Sequence, residues 1–286
     1  MTARSMPNGT GLEIIDPQFR MLGLCALKAA FEMPLSLREI LLFGTSSYCI
    51  LLQKLLTSAL GGVSMVQTRF TDGPMTGQNF ACLTSEAYFM LGSHREDDLQ
   101  NFAVHTIKPT DVVYDIGAHV GYTALLFSAL VGSRGHVFCF EPSPKNYARL
   151  CANLDANRKS NVTAINAAVS DRESMALLEE HGTTSTLISG SEKHSAPIAN
   201  VQTLRLDDFI YRDGNRPMTF VKLDVEGHGG AVLEGMKCAL ESQHPTIVCE
   251  FHNRDEEERA TRVLAACRYR LSSLGKRKYP FKVVAS

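Results

Sequence analysis

The sequence is informative first for what it omits. It has no basic excess: 29 Lys and Arg stand against 30 Asp and Glu, for a net charge of −1. That excludes general nucleic-acid affinity through a basic surface. Its eight cysteines, at positions 25, 49, 82, 139, 151, 238, 249 and 267, include no CxxC pair and no Cys/His cluster at zinc spacing. They read as reduced core thiols of a cytoplasmic protein. The amino terminus lacks a charged segment leading into an apolar run and a small-residue cleavage site, so no signal peptide is expected. The most apolar stretch, ILLFGTSSYCILLQKLLTSAL (residues 40–60), is interrupted by GTSSY, Gln53 and Lys54. A membrane span needs ~20 mainly apolar residues, and this stretch does not supply them.

What is present suits one large domain with an appendage: 286 residues, 44% of them hydrophobic. Residues 1–62 read as a helical region. Asp16-Pro17 sets an N-cap with proline at the first helical position, and Pro34 ends the pattern. Ser36 and Glu39 have capping-box spacing. The next segment places Tyr48, Leu51, Leu52, Leu55 and Ala59 on one face before Gly61-Gly62. Lys54 is the one charge between Glu39 and Arg69. Such a face needs a cover, and packing on the main domain or across a homodimer ranks ahead of a membrane-surface role.

Residues 63–286 read as the second domain. VSMVQTRF and QNFACL alternate like strands around the TDGPMTG turn. After the helix HREDDLQNFAVHTI, strands and helices alternate: DVVYDIG with YTALLFSALV, GHVFCFEP with PKNYARLCANLDAN, then NVTAIN and an irregular middle of short strands. TFVKLDVEG precedes the helix GAVLEGMKCALES, PTIVCEFH precedes DEEERATRVLAAC, and YRLSSL and YPFKVVAS close the chain. The alternation, with strands apolar on both faces, predicts an α/β fold: a parallel sheet with helices on both faces. Ligands of such sheets sit beyond the carboxyl ends of the strands.

The loop after DVVYD is therefore the first place to look. It runs Asp115-Ile116-Gly117-Ala118-His119-Val120-Gly121, which is not the GxGxxG that a dinucleotide's pyrophosphate requires. A carboxylate at Asp115 would repel a pyrophosphate. It suits a ligand with an amino group and a sulfonium, and S-adenosylmethionine carries both. Glu141, 20 residues beyond Gly121, ends the second strand where it can accept hydrogen bonds from a ribose diol.

VVYDIGAHVGYTALLF, VFCFEPSPKNYARLCANLDAN, NVTAINAAVSD, VQTLRLDDF, FVKLDVEGHGGAVLEGM and PTIVCEFH together resemble successive motifs of the FkbM family of S-adenosylmethionine-dependent methyltransferases. The resemblance runs from about Ser85 to His252. It implies a seven-stranded Rossmann-like sheet of the class I methyltransferase kind, its last strand antiparallel. It also implies O-methylation of a hydroxyl on a sugar, glycan, glycolipid or polyketide product. By the same resemblance, Asp115, Gly117, His119 and Gly121 shape the methionine pocket, Glu141 holds the ribose, and Asn166 and Ala167 border the adenine. Asp224 faces the amino group or the acceptor. The family motif DVEGAE is replaced here by Asp224-Val225-Glu226-Gly227-His228-Gly229, so the usual acid at 229 is absent and a histidine stands at 228.

An acceptor hydroxyl must lose its proton during transfer, and Glu226, Glu250, His228 and Asp224 are the candidate catalytic groups. No metal is assigned, although Asp224, Glu250 and His252 can be considered as a hard-metal set. The DEEER run after His252 reads as a solvated helix start. Two alternatives stay open: a non-catalytic cofactor-binding partner module, and a nicotinamide-dependent oxidoreductase, which the missing glycine and Asp115 disfavour.

Overall fold

A computed structural model describes residues 65–70, 73–89, 97–181, 184–188, 198–275 and 279–286. The expected helices of residues 1–62, and with them the dimer and membrane-surface readings, lie outside the described residues. Among the described residues, no helix is long and apolar enough to cross a membrane. The described part of a smaller unit comprises residues 65–68 and 81–89. It holds most of a strand pair, β1 (Met65–Arg69) with β2 (Asn79–Leu83), followed by a 3-10 turn at Thr84–Phe89. Glu86 Oε2 accepts from the Leu83 amide at 2.8 Å, which ties the turn to the strand end.

The larger unit opens with residues 69–80 and continues from residue 94. Its strands are β3 (Val112–Ile116), β4 (His136–Phe140), β5 (Val162–Ile165), β10 (Phe220–Leu223), β11 (Thr246–Phe251), β12 (Leu271–Leu274) and β13 (Phe281–Ala285). They form one seven-stranded sheet in the order β12-β13-β11-β10-β3-β4-β5. The five central and edge strands β11, β10, β3, β4 and β5 run parallel, while β13 runs antiparallel between β11 and β12. This is the expected seven-stranded sheet with its last strand reversed. The order turns outward in both directions from β3 and β10, so their carboxyl ends mark the switch point where ligands bind.

Helices cover both faces. They are α1 (Asp97–Thr106), α2 (Tyr122–Val131), α3 (Pro144–Ala156), α4 (Gly229–Gly235), α5 (Lys237–Gln243) and α6 (Arg254–Ala266). On one face Tyr114, Ile116, Phe140, Val221 and Leu223 belong to the main core, and Phe209 packs edge-on against Tyr114, Phe138 and Phe140. On the other, Phe102 of α1 and Phe127 of α2 meet Phe220. Burial of each such side chain contributes ~1.5–3 kcal/mol. The two-sided burial explains why these strands are apolar throughout rather than alternating.

Two features depart from the sequence reading. The irregular middle is a second sheet of four strands, β6 (Ala168–Val169), β7 (Ser174–His181), β8 (Thr184–Ile188) and β9 (Ile198–Leu204), in the order β6-β9-β7-β8. It has a small core of its own, built from Ala168, Leu178 and Val201. The periodic run GAVLEGMKCALES is two helices rather than one, broken at Met236, whose φ of −124° leaves the helical range. The apolar period continues through the break, so periodicity could not reveal it. Its cause is distant in sequence. Asp207, buried, accepts from the amides of Cys238 and Ala239 at 3.0 Å each and thereby caps α5. Asp207→Ala is expected to lower the unfolding free energy by roughly 1–3 kcal/mol, because one buried and one part-buried amide lose their acceptor. Urea denaturation measures this, and an unchanged midpoint would remove Asp207 as the cause of the break.

Candidate active site

The site is built around a buried ion cluster on two neighbouring strands. Asp115 of β3 and Lys222 of β10 are register partners, so both side chains emerge on the same face of the sheet. Asp115 is fully buried and Lys222 is 6% exposed. A lysine there must be matched by acceptors. Lys222 Nζ donates to the Gly117 carbonyl at 2.7 Å and lies 3.3 Å from Asp224 Oδ2 and 3.7 Å from Asp115 Oδ1. Thr123, in the first turn of α2, donates to Asp115 Oδ2 at 2.6 Å. Burial raises the Asp115 pKa, with Lys222 and Thr123 opposing it. Asp115 Oδ1 accepts no hydrogen bond. An acceptor atom left so, at the end of β3, fits the amino group of a cofactor.

The loop that follows is held by close packing. Gly117 has φ +81°, and a Cβ there would lie 1.8 Å from the Asp224 carbonyl, so no other residue fits. Gly121 has φ +92° and leads directly into α2. Between them His119 adopts φ +51°, and its amide donates to Glu141 Oε2 at 2.8 Å. The other Glu141 oxygen accepts from the Ser143 amide at 2.9 Å. Glu141 is thus a buried carboxylate that joins the turn after β3 to the turn after β4, and burial pushes its pKa up to about 7 despite these bonds. Asn166 is exposed at the end of β5 and donates from Nδ2 to the carbonyls of Glu141 and Pro142 at 2.8 and 3.1 Å. Ala167 beside it is buried. The cofactor-binding candidates therefore gather at the carboxyl ends of β3, β4, β5 and β10.

Four acidic groups and one histidine gather beside them. His252, just past β11, places Nε2 3.4 Å from Asp224 Oδ1, 3.5 Å from Glu226 Oε2 and 4.0 Å from Glu250 Oε1. Its Nδ1 lies 3.5 Å from Glu256 Oε2. Burial alone would lower the His252 pKa, but the surrounding carboxylates raise it to about 9. The three catalytic candidates near it differ electrostatically. Glu250 is paired with Lys282 at 2.9 Å. Asp224 is pushed up by burial, but Lys222 and His252 more than offset that and hold it below the usual range. Glu226 is raised, chiefly by burial. His228 is not brought to this group. Its Nε2 sits 2.9 Å from Ser170 Oγ, and burial lowers its pKa.

Sequence reasoning missed two residues. Lys222 appeared only as a motif letter, although a lysine inside an otherwise apolar strand signals a buried partner. Glu256 was grouped with a solvated helix start, whereas it is 2% exposed. Its carboxylate accepts from the amides of Gly227 and Gly229 at 3.1 and 3.2 Å and of His252 at 2.9 Å. Within the DEEER run only Glu256 is buried; Asp255 and Glu258 are exposed and Glu257 is half-buried. Position 229, where the resembling motif has an acid, thus stands against the carboxylate of Glu256: a Cβ on Gly229 would lie 3.0 Å from Oε1.

Residues 115–273 match the model of the methyltransferase FkbM domain. The chain belongs to the FkbM methyltransferase family. Among curated proteins, a hexuronic acid methyltransferase, AglP, from Haloferax volcanii is 28% identical over 173 residues, covering 59% of this chain and 68% of the relative. The 31-O-demethyl-FK506 methyltransferase FkbM of Streptomyces tacrolimicus is 26% identical over 180 residues, covering 52% and 68%. A crystal structure of a methyltransferase FkbM from Methylobacillus flagellatus KT matches with a TM-score of 0.46 and 15% identity over 71% of this chain. That match spans about half of the other chain, 54% of its length.

Glu141 generates a pH prediction. Its folded-state pKa, about 7, lies above its ordinary value of 4.5. Its contribution to stability is therefore full below about pH 4.5 and is lost as the pH rises through about 7. The unfolding free energy of the wild type should fall relative to that of Glu141→Gln across this window. Parallel denaturant titrations at several pH values measure it, and parallel pH curves would refute the shift.

Proposed function

We propose that this FkbM-family protein transfers the methyl group of S-adenosylmethionine to a hydroxyl of a sugar, glycan or hydroxylated natural product. The observation that carries the reading is the convergence of Asp115, Glu141 and the Gly117 turn with the Asp224–Glu226–Glu250 group at one end of the sheet. The names of the two curated relatives, one acting on a hexuronic acid and one on a demethylated FK506, support an oxygen-rich acceptor.

Asp115 offers Oδ1 to the cofactor's amino group, and the turn from Gly117 to Gly121 shapes its methionine end. Glu141, fixed by two backbone amides, presents its carboxyl to the ribose, while Asn166 and Ala167 border the adenine. The bound cofactor supplies an activated methyl sulfonium, so positioning of the acceptor carries much of the rate. The acceptor proton goes to Glu226. Asp224 is committed to Lys222 and His252, and Glu250 to Lys282, whereas Glu226 combines a raised pKa with a side chain 33% exposed. Its φ of +47° is unusual for a residue with a side chain and is held by the Glu256 bonds to Gly227 and Gly229, which follow it.

S-adenosylmethionine or its demethylated product should raise the melting temperature, by an amount equivalent to ~2.7 kcal/mol at a hundredfold excess over Kd, while NAD should not. Glu226→Gln should slow transfer of a labelled methyl group by ~10²–10⁴ with cofactor affinity retained. Stabilisation by NAD alone would replace this reading with the oxidoreductase one, and wild-type turnover in Glu226→Gln would return the base to another group.

A further inference from the structure

The group around His252 has the geometry of a ligand set rather than of a hydrogen-bond network. A charged imidazole paired with a carboxylate sits at ~2.7–2.9 Å. Here Nε2 stands 3.4 Å from Asp224 Oδ1 and 3.5 Å from Glu226 Oε2 and forms a hydrogen bond with neither. Around an ion bound at about 2.1 Å, tetrahedral ligand atoms are separated by about 3.4 Å. The three ligand atoms of Asp224, Glu226 and His252 all lie within 4.8 Å of one another. The oxygens are also divided suitably: Asp224 meets Lys222 through Oδ2 and His252 through Oδ1.

The surroundings of His252 supply an independent second feature. A histidine that binds a metal through one ring nitrogen commonly has its other nitrogen against a carboxylate, which fixes the ring and raises its basicity. Glu256 stands on that side, its side chain 1% exposed and Oε2 3.5 Å from Nδ1, an ion-pair distance without a hydrogen bond. The same Glu256 oxygen accepts from the His252 amide at 2.9 Å, which fixes the backbone of His252, while Nε2 faces the carboxylates. Charge points the same way. Lys282 answers Glu250 and Lys222 answers Asp224, but among the described residues Glu226 has no ion-pair partner besides His252.

We propose that Asp224, Glu226 and His252 bind a divalent transition-metal ion at the carboxyl ends of β10 and β11. Two oxygens and one imidazole nitrogen favour manganese or zinc over magnesium, which prefers oxygen alone. The structure replaces the set considered from sequence: Glu250 is held by Lys282, and Glu226 takes its position. Three protein ligands leave coordination positions for the acceptor. The favoured acceptor therefore presents two adjacent oxygens, as a vicinal diol or a hydroxyl beside a carboxylate does. Glu226 ligates through Oε2, the oxygen that faces His252. The role in acceptor binding rests on the methyl-transfer reading, but the metal site itself does not.

The test uses the full chain, stripped with a chelator and titrated with manganese(II) alone while electron paramagnetic resonance follows the free ion. One saturable equivalent is expected, displaced by zinc and not by equimolar magnesium. Glu226→Gln and His252→Gln should each weaken it by more than about tenfold, the scale at which even outer-shell changes act. The Glu226 side chain is a third exposed, so Glu226→Gln decides the matter if His252→Gln melts early. Absence of saturable binding in the wild type, or unchanged affinity in Glu226→Gln, would overturn the proposal. Because neither cofactor nor acceptor is present, a protein that binds the ion but transfers no methyl group would count against the functional reading alone.

Discussion

The buried contact between Lys222 and the ends of two strands is the constraint on which the rest of the site depends. One ammonium group, held in the sheet, donates to the Gly117 carbonyl and lies between the carboxylates of Asp115 and Asp224. Three segments that bear on the proposed cofactor and acceptor, the ends of β3 and β10 and the glycine turn, are therefore positioned by a single charge. Removing one partner from such a cluster leaves an uncompensated buried charge, which typically costs ~3–5 kcal/mol. Structure and electrostatics cannot be varied independently here. Any change that frees Lys222 also moves the Gly117 turn.

Around this centre, Glu141 and Glu256 perform the same physical task at two places. Each is a nearly buried carboxylate whose oxygens accept backbone amides from loops that no regular secondary structure would hold. Glu141 stabilises the left-handed His119, and Glu256 the left-handed Glu226. Strained residues persist where surrounding bonds over-determine them. The two acids thus allow functional turns to adopt conformations that local sequence disfavours.

Most of the scaffold was legible from the residues, because runs such as VVYDI and HVFCF are apolar on both faces and their alternation with helices leaves few topologies. The glycine turn was legible for a similar reason, since Gly117 and Gly121 meet conformational demands that other residues cannot. The second sheet was not, because among the described residues its own core has only Ala168, Leu178 and Val201 buried, which leaves little apolar pattern in its strands. The break at Met236 depends on Asp207, and the burial of Glu256 depends on which side of α6 meets the sheet. Both are contacts between segments far apart in the chain. His228 stood out by its departure from the family motif, yet Ser170 rather than the carboxylate group receives it. A letter that differs from a motif marks a change of environment without giving its direction.

Ser170 has a further consequence. Its amide is anchored on β9 through the Leu204 carbonyl, its own carbonyl would collide with any side chain at Gly235, and its hydroxyl meets His228. The smaller sheet is therefore tied to the segment after β10 through Ser170, and Glu180 of β7 ties it to the turn after β4 by accepting from Ser143 Oγ and Lys145 Nζ at 2.7 and 2.5 Å. The second sheet thus bears on two turns at once: a change at Ser170 reaches the segment after β10, and a change at Glu180 reaches the turn that holds Glu141.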